Sequence, residues 1–360
     1  MNVSSNDDTS DFKITVYSYA LPILLTLCII SIVLNFCIAI SGFHARSTIK
    51  ITAYLSFFLA LADTFNSIIV CSGLVVFSLI GVVLKTGLEN GCLKLFIETF
   101  RLGGIPIPVG HLLLIAATHY IGIVKPLEYE RIVTKGRIKI CVIICWLFPM
   151  TFVFTWFSVF SGRGFRSNEC TEVAFMNELP WRAAYSVFFL CPFLAIVIIY
   201  ARIYWVARKP NQENPNLAIL ENELNFKAIK TTGSIVGSYC LGLLPATISY
   251  ALSYSGGPLY SPQLGEKTAV AIGISVNFLV ILKSLLNPWI YSIGQLEVKI
   301  ALKRLKYAIK ERIFGPIPLD QIETTSLYAL EHAIIMHEDS RQYRCVTSMK
   351  NMKTTPINLK

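Results

Sequence analysis

The chain has 360 residues, 54% of them hydrophobic and only 15% charged, too apolar for an ordinary soluble domain. A net charge of +10 would suggest nucleic acid in a soluble protein. Here the bases flank long apolar blocks, so orientation in a membrane explains them better and no nucleic-acid partner is expected. Blocks of roughly 20 apolar residues are the signature of membrane-spanning helices. Most of the ten Cys lie inside such blocks, where they behave as small hydrophobes; Cys92 and Cys170 instead stand near loops.

In chain order, residues 1–16 are polar and acidic and read as a short exposed tail. They carry no basic stretch and no cleavage site, so the first span is expected to direct insertion itself. Asn2-Val3-Ser4 fits a glycosylation acceptor on Asn2. Span one covers residues 17–42, with Asn35 as its one strongly polar interior residue. Span two, 51–83, carries Asp63, and an ionisable group at that depth marks a functional site by default. Span three, 92–124, contains Gly103-Gly104-Ile105-Pro106-Ile107-Pro108, which is expected to kink or locally unwind it. It ends in Thr118-His119-Tyr120. Span four, 138–160, holds Trp146 and Pro149, and the loop after it contains Cys170. Span five, 181–206, contains Pro192 and Tyr200. A polar connector with Pro210 and Pro215 leads to span six, 226–254, which contains Gly237, Gly242 and Pro245. Span seven, 268–291, follows a turn-rich connector.

Lys283, Asn287 and Tyr291 are spaced by four in span seven and share one helix face. Pro288 removes a backbone hydrogen bond, and in lipid the freed carbonyl needs a partner such as a buried Asn or ordered water. A Lys at that depth is expensive and is usually paired inside a bundle. Beyond Gly294, Val298, Leu302, Leu305 and Ile309 recur at 4-3-4 spacing, with Lys299, Lys303, Lys306 and Lys310 one step round. A helix over 295–312 is therefore expected on the membrane surface, its bases toward anionic lipid headgroups. Residues 313–360 read as a polar tail.

The bases set the orientation. Arg46 and Lys50, then Lys125 to Lys139, then Arg202, Arg208, Lys209, Lys227 and Lys230 flank alternate connectors. By the positive-inside rule these face the cytoplasm, which leaves the N-terminus outside. The expected fold is all-α: a seven-transmembrane helical bundle over 17–294 with an amphipathic eighth helix on the cytoplasmic face. Cys92 and Cys170 then meet the oxidising side, where a disulfide can persist. An odd span count without inverted repeats argues against a transporter. No nucleophile, base and orienting group converge, so neither an enzyme nor a cofactor is expected.

Taken together and in this order, several landmarks resemble the rhodopsin-like, or class A, G protein-coupled receptors over residues 17–312. They are Asn35, Leu59 to Asp63, Cys92, Trp146, Cys170, Pro192 with Tyr200, Pro245, Asn287-Pro288-x-x-Tyr291 and the surface helix. The resemblance implies a plasma-membrane receptor whose sixth and seventh helices move when an outer ligand binds, opening a cytoplasmic cleft for a heterotrimeric G protein. The ligand must then bind the open arrangement better than the closed one, and Pro192, Pro245 and Pro288 are the flex points. A Cys92–Cys170 disulfide should pin the second outer loop to span three, these being the only two Cys near outer loops. Thr118, His119, Tyr120 and Tyr200 become the G protein-facing residues. Asn35, Asp63, Lys283, Ser284, Asn287 and Tyr291 become an internal polar network. Thr324, Thr325, Ser326, Ser340, Thr347, Ser348, Thr354 and Thr355 offer phosphorylation sites for an arrestin-type partner.

The departures from the family pattern are equally specific. Its Asp-Arg-Tyr reads Thr118-His119-Tyr120, and His lacks the planar, always-charged guanidinium fork. Leu243 stands where a Trp is usual two residues before the span-six Pro. These changes keep an alternative open: a seven-span ligand-binding or trafficking partner with weak or lost coupling. Many receptors resembling this one hold a sodium ion beside the span-two acid, helped by polar groups in spans three and seven. The helper positions here are Pro108 and Lys283, so Lys283 is expected to pair with Asp63 and stand in for the ion.

For the ligand, a small organic molecule or short peptide is expected. An amine receptor of the family needs an Asp near the top of span three, where this chain has Thr99 or Arg101 with Glu98 adjacent. Lys283 precedes Asn287 by four residues where a retinal-binding Lys precedes it by six, a rotation of roughly 200° that disfavours a retinal link. The stretch from Lys125 to Trp146 is similar to the adenosine and melanocortin branch, yet Tyr250 replaces the Asn of adenosine receptors. The expected pocket residues are Glu98, Arg101, Glu172, Tyr250, Tyr254 and Asn277.

Overall fold

With no water in a bilayer core, an apolar run must satisfy its backbone groups internally, and a helix does so within one segment. The structure, a computed structural model, describes residues 3–45, 49–86, 90–207, 233–234, 237–260 and 264–315, and these form helices and short turns without a strand. Among the described residues, six segments are long and apolar enough to cross a membrane: Asp11–His44, Ile51–Val83, Gly91–Val124, Lys135–Arg166, Leu179–Val206 and Glu266–Ile290. The span between the last two is helical over 237–252. Ile23, Ile29 and Val33 on span one, Ile140, Ile143 and Leu147 on span four, and Leu194 and Ile198 on span five are exposed, while Asn35, Asp63, Thr64, Lys283, Ser284 and Asn287 are buried. Apolar outside and polar within is the distribution that a hydrocarbon solvent selects.

The first helix runs from Val3 to Ser41, so the segment expected as a tail is already helical from its third residue. The head of span seven holds it: Lys13 pairs with Glu266, and Lys267 Nζ lies 5.2 Å from the centre of the Phe12 ring. Asn2, Arg46, the bases from Arg208 to Lys230 and the phosphorylatable residues from Thr324 onward lie outside the described residues. Span two is α-helical over Ile51–Gly73 and continues as a π-helical stretch over Leu74–Val83. Such wider turns are rare and are frequent at functional sites.

Span three is broken, as its Gly-Gly-Ile-Pro-Ile-Pro run leads one to expect. Helices Gly91–Gly104 and Ile107–Val124 meet at Ile105-Pro106. Pro106 has no N–H to offer the carbonyl of Leu102, four residues back. The Tyr185 hydroxyl of span five donates to that carbonyl at 2.8 Å. Span seven repeats the device. Pro288 leaves the Ser284 carbonyl without its helical donor, and Asn35 Nδ2 of span one donates to it at 3.0 Å. Each of these two prolines therefore creates an acceptor that another span fills.

One end of the bundle is pinned by the Cys92–Cys170 disulfide, with Cα atoms 4.8 Å apart. Gly91 makes that approach feasible: a Cβ there would lie 2.3 Å from the Glu169 carbonyl oxygen. Trp181, buried at the start of span five, packs on Phe157 of span four, Phe175 of the loop and Tyr185, with ring centres 5.1–6.4 Å apart. At the opposite end a helix over Leu296–Phe314 buries Val298, Ala301 and Leu305, whereas Ile309, expected on the same stripe, is exposed. Lys50 Nζ bonds Glu297 at 2.8 Å and Arg304 donates to the His44 carbonyl at 3.2 Å, tying this helix to the loop between spans one and two.

Tyr185→Phe should strand the Leu102 carbonyl and cost about 1–3 kcal/mol in thermal unfolding of the detergent-solubilised protein. In a Pro106→Ala background, where a backbone N–H returns, the same change should cost measurably less. Equal losses in both backgrounds would contradict the pairing of proline and hydroxyl.

Candidate functional site

A cavity of about 590 Å³ opens at the disulfide-bearing end of the bundle between spans two, three and seven, beneath the disulfide-pinned loop. Its walls are mostly apolar, with Leu74 and Phe77 from the π-helical stretch, Leu95 from span three and Met176 from the loop. The polar groups on it include Lys94, Glu98, Arg101 and Asn277. Glu98 and Arg101 are one turn apart, so they face each other along the helix. Arg101 Nε donates to Glu98 Oε2 at 2.7 Å and Nη2 donates to Oε1, a two-pronged pairing that occupies both carboxylate oxygens. The Arg101 stem crosses to span two, where its Cδ lies 3.0 Å from the place a Cβ on Gly73 would take.

Of the six residues expected in the pocket, Glu98, Arg101 and Asn277 line this cavity and three others do not. Tyr250 belongs to an anchor beside it. Its hydroxyl accepts from Trp181 Nε1 at 2.6 Å, and the Arg182 guanidinium lies 4.0 Å over its ring. Arg182 also donates to the Met176 carbonyl at 2.6 Å and to Asn177 Oδ1 at 2.8 Å, so loop, span five and span six are fastened together there. Glu172 is exposed and accepts from the Ala174 N–H at 3.4 Å, and Tyr254 packs under Gly257. Lys94, Phe77 and Met176 also line the cavity, and no motif in the sequence marks them. Phe77 reaches the wall through π-helical turns that a 3.6-residue period does not anticipate, and Met176 through the fold of the loop.

Deeper in the bundle, Lys283 Nζ donates to Asp63 Oδ1 at 2.7 Å, and the two side chains are 1% and 0% exposed. Asn287 Nδ2 donates to the other carboxylate oxygen at 2.5 Å, and Ser284 Oγ lies 3.4 Å from the first. These groups converge because Asp63 stands in the middle of span two while Lys283, Ser284 and Asn287 share one face of span seven. Asn35 bonds the Ser284 and Ser31 carbonyls, and Ser31 meets Ser67 at 2.9 Å, so spans one, two and seven form one network. The side chain of Tyr291 lies outside the described residues.

At the end of span three away from the disulfide, Thr118 is buried and donates to the Ile115 carbonyl at 2.8 Å. His119, Tyr120 and, across in span five, Tyr200 are half-buried. Neither an acid nor a guanidinium occurs in the Thr118-His119-Tyr120 triplet.

The model of one protein family, described as 7 transmembrane receptor (rhodopsin family), matches residues 34–291. Adenosine receptor A2b of Homo sapiens is 26% identical over 225 residues, 56% of this chain and 65% of that receptor. Trace amine-associated receptor 13c of Danio rerio is 27% identical over 311 residues, 82% of this chain and 86% of the relative. Growth hormone secretagogue receptor type 1 of Mustela putorius furo is 24% identical over 210 residues, 53% and 55% respectively. The chain thus spans less than two thirds of the adenosine receptor's length.

Removing one charge of the buried pair leaves the other stranded. Lys283→Met or Asp63→Asn alone should each cost about 3–5 kcal/mol of stability, and the two together clearly less than the sum. Strictly additive losses in a thermal-unfolding cycle would show that the two side chains do not act as a pair.

Proposed function

The chain belongs to the rhodopsin family of seven-transmembrane receptors, the class A G protein-coupled receptors, and from that premise we propose that it binds an extracellular small molecule or short peptide in the outer cavity and signals to a heterotrimeric G protein. The observation that carries this reading is the cavity itself, walled by spans two, three and seven and covered by a loop tied down at Cys170. Its volume lies within the roughly 300–1,000 Å³ typical of small-molecule sites. The family is one of receptors, and a seven-span partner without signalling is not favoured by the match.

The charge arrangement on the wall narrows the ligand. Both oxygens of Glu98 already accept from Arg101, so an ammonium approaching this acid would meet a guanidinium held against it. Lys94 adds a second cation on the same wall. A neutral or acidic polar group on an apolar body suits these walls better than an amine. The bases of the inner loops, the plasma membrane as the compartment and an N-terminus outside the cell follow from the same reading. So do anionic lipids against the surface helix and an arrestin-type partner for the tail.

A second-messenger assay in cells overexpressing the chain tests the function. A basal signal that disappears when the inner-loop bases Lys135, Arg137 and Lys139 are neutralised is expected; a cell surface filled with receptor and no messenger change under any stimulus would contradict it. His119→Arg should raise the coupled signal, because Arg restores a planar, always-charged donor at the inner foot of span three. A variant that signals equally or less would mean that this end of span three is built around His119.

A further inference from the structure

The family resemblance implies a sodium ion beside the span-two acid, and the residues of this chain do not fit one. A sodium site needs a carboxylate with no competing cation on it and oxygen ligands from neighbouring helices. Here Asp63 Oδ1 receives Lys283 Nζ at 2.7 Å, and Asp63 Oδ2 receives Asn287 Nδ2 at 2.5 Å. The span-three position that would help hold the ion is Pro108, buried and without a side-chain oxygen. One turn on, His111 is buried with Nδ1 on the Ile107 carbonyl at 3.0 Å. Ser284 contributes only a 3.4 Å contact to the oxygen that the ammonium already holds. A sodium ion added to this carboxylate would sit against a fixed positive charge in an interior that screens it poorly.

The geometry points to Lys283 as a cation built into the chain: its ammonium takes the place that a sodium ion would hold, and the receptor's core is thereby indifferent to sodium. The stem of Lys283 is seated for this by span six. A Cβ on Gly242 would lie 2.5 Å from Lys283 Cβ and 2.8 Å from the Leu279 carbonyl oxygen, so only the bare backbone of a Gly leaves the lysine its path along the helix to Asp63. The cation of this core is therefore set by three spans at once: the acid from span two, the ammonium from span seven and the clearance from span six. Whereas an ion can enter and leave, a tethered ammonium is always at full local concentration.

The test is thermal unfolding of the purified full-length protein in sodium chloride against choline chloride at equal ionic strength. Wild type should melt at the same temperature in both salts. Lys283→Asn, which trades the ammonium for an oxygen ligand, should melt about 3 °C higher in sodium than in choline. Asp63→Asn combined with Lys283→Asn should lose the sodium response and melt above Lys283→Asn in choline. Sodium-dependent melting of the wild type overturns the inference, as does a Lys283→Asn protein blind to sodium. If Lys283→Asn yields no folded protein, the wild-type comparison still decides, and a double variant that responds to sodium overturns the inference as well. The readout is stability without ligand or G protein, so a failure here leaves the receptor reading standing, and that reading is judged by second messengers alone.

Discussion

A lysine and an aspartate that meet in the middle of an apolar bundle are the constraint on which the rest of the interior depends. Neither charge can be left in that environment singly, since desolvation costs more than any one contact returns. Lys283 and Asp63 meet at 2.7 Å, and Asn287 occupies the carboxylate's second oxygen, so the charge is paired and hydrogen-bonded on both sides. Span two and span seven must therefore keep one relative height, and span six must present Gly242 to the lysine stem. The same convergence places Ser284 where Asn35 of span one can bond its carbonyl.

Proline supplies the second organising element. In a water-soluble helix a freed carbonyl finds solvent; in a bundle surrounded by lipid it must find protein. The Leu102 and Ser284 carbonyls, released by Pro106 and Pro288, are taken by Tyr185 and Asn35 from other spans. A break in one helix thus becomes a specific link between two. These links also locate the outer cavity. The break at Ile105-Pro106 lies one turn below Arg101, whose guanidinium is folded onto Glu98 on the cavity wall, and the Trp181–Tyr250–Arg182 anchor fixes the loop that covers it.

Much of this was legible in the chain itself. Hydropathy marks the spans because lipid demands long apolar runs, and the period of the helix puts Lys283 and Asn287 on one face toward the acid of span two. The need for a donor to the Ser284 carbonyl can be stated from Pro288 alone, but not which span supplies it, because interhelical distances are not written in one sequence. The helix beginning at Val3 was unreadable for the same reason: Lys13 and Glu266 are far apart in the chain and their pairing supports those polar turns. Position in span six suggests a pocket role for Tyr250, whereas its hydroxyl and ring are engaged by Trp181 and Arg182. The π-helical turns of span two escaped because no local residue pattern distinguishes them from an α-helix, and they alter which side chains, Phe77 among them, reach the cavity.

The internal cation has one physical requirement, that Asp63 be an ionised acid balanced by Lys283. Infrared difference spectroscopy between wild type and Asp63→Asn at neutral pH, with aspartate isotopically labelled, addresses that requirement most directly. The expected difference is the loss of an ionised carboxylate band, and the same band should shift in Lys283→Met. Loss of the carbonyl band of a protonated carboxylic acid in its place, or a carboxylate band unmoved by Lys283→Met, would contradict the ion pair.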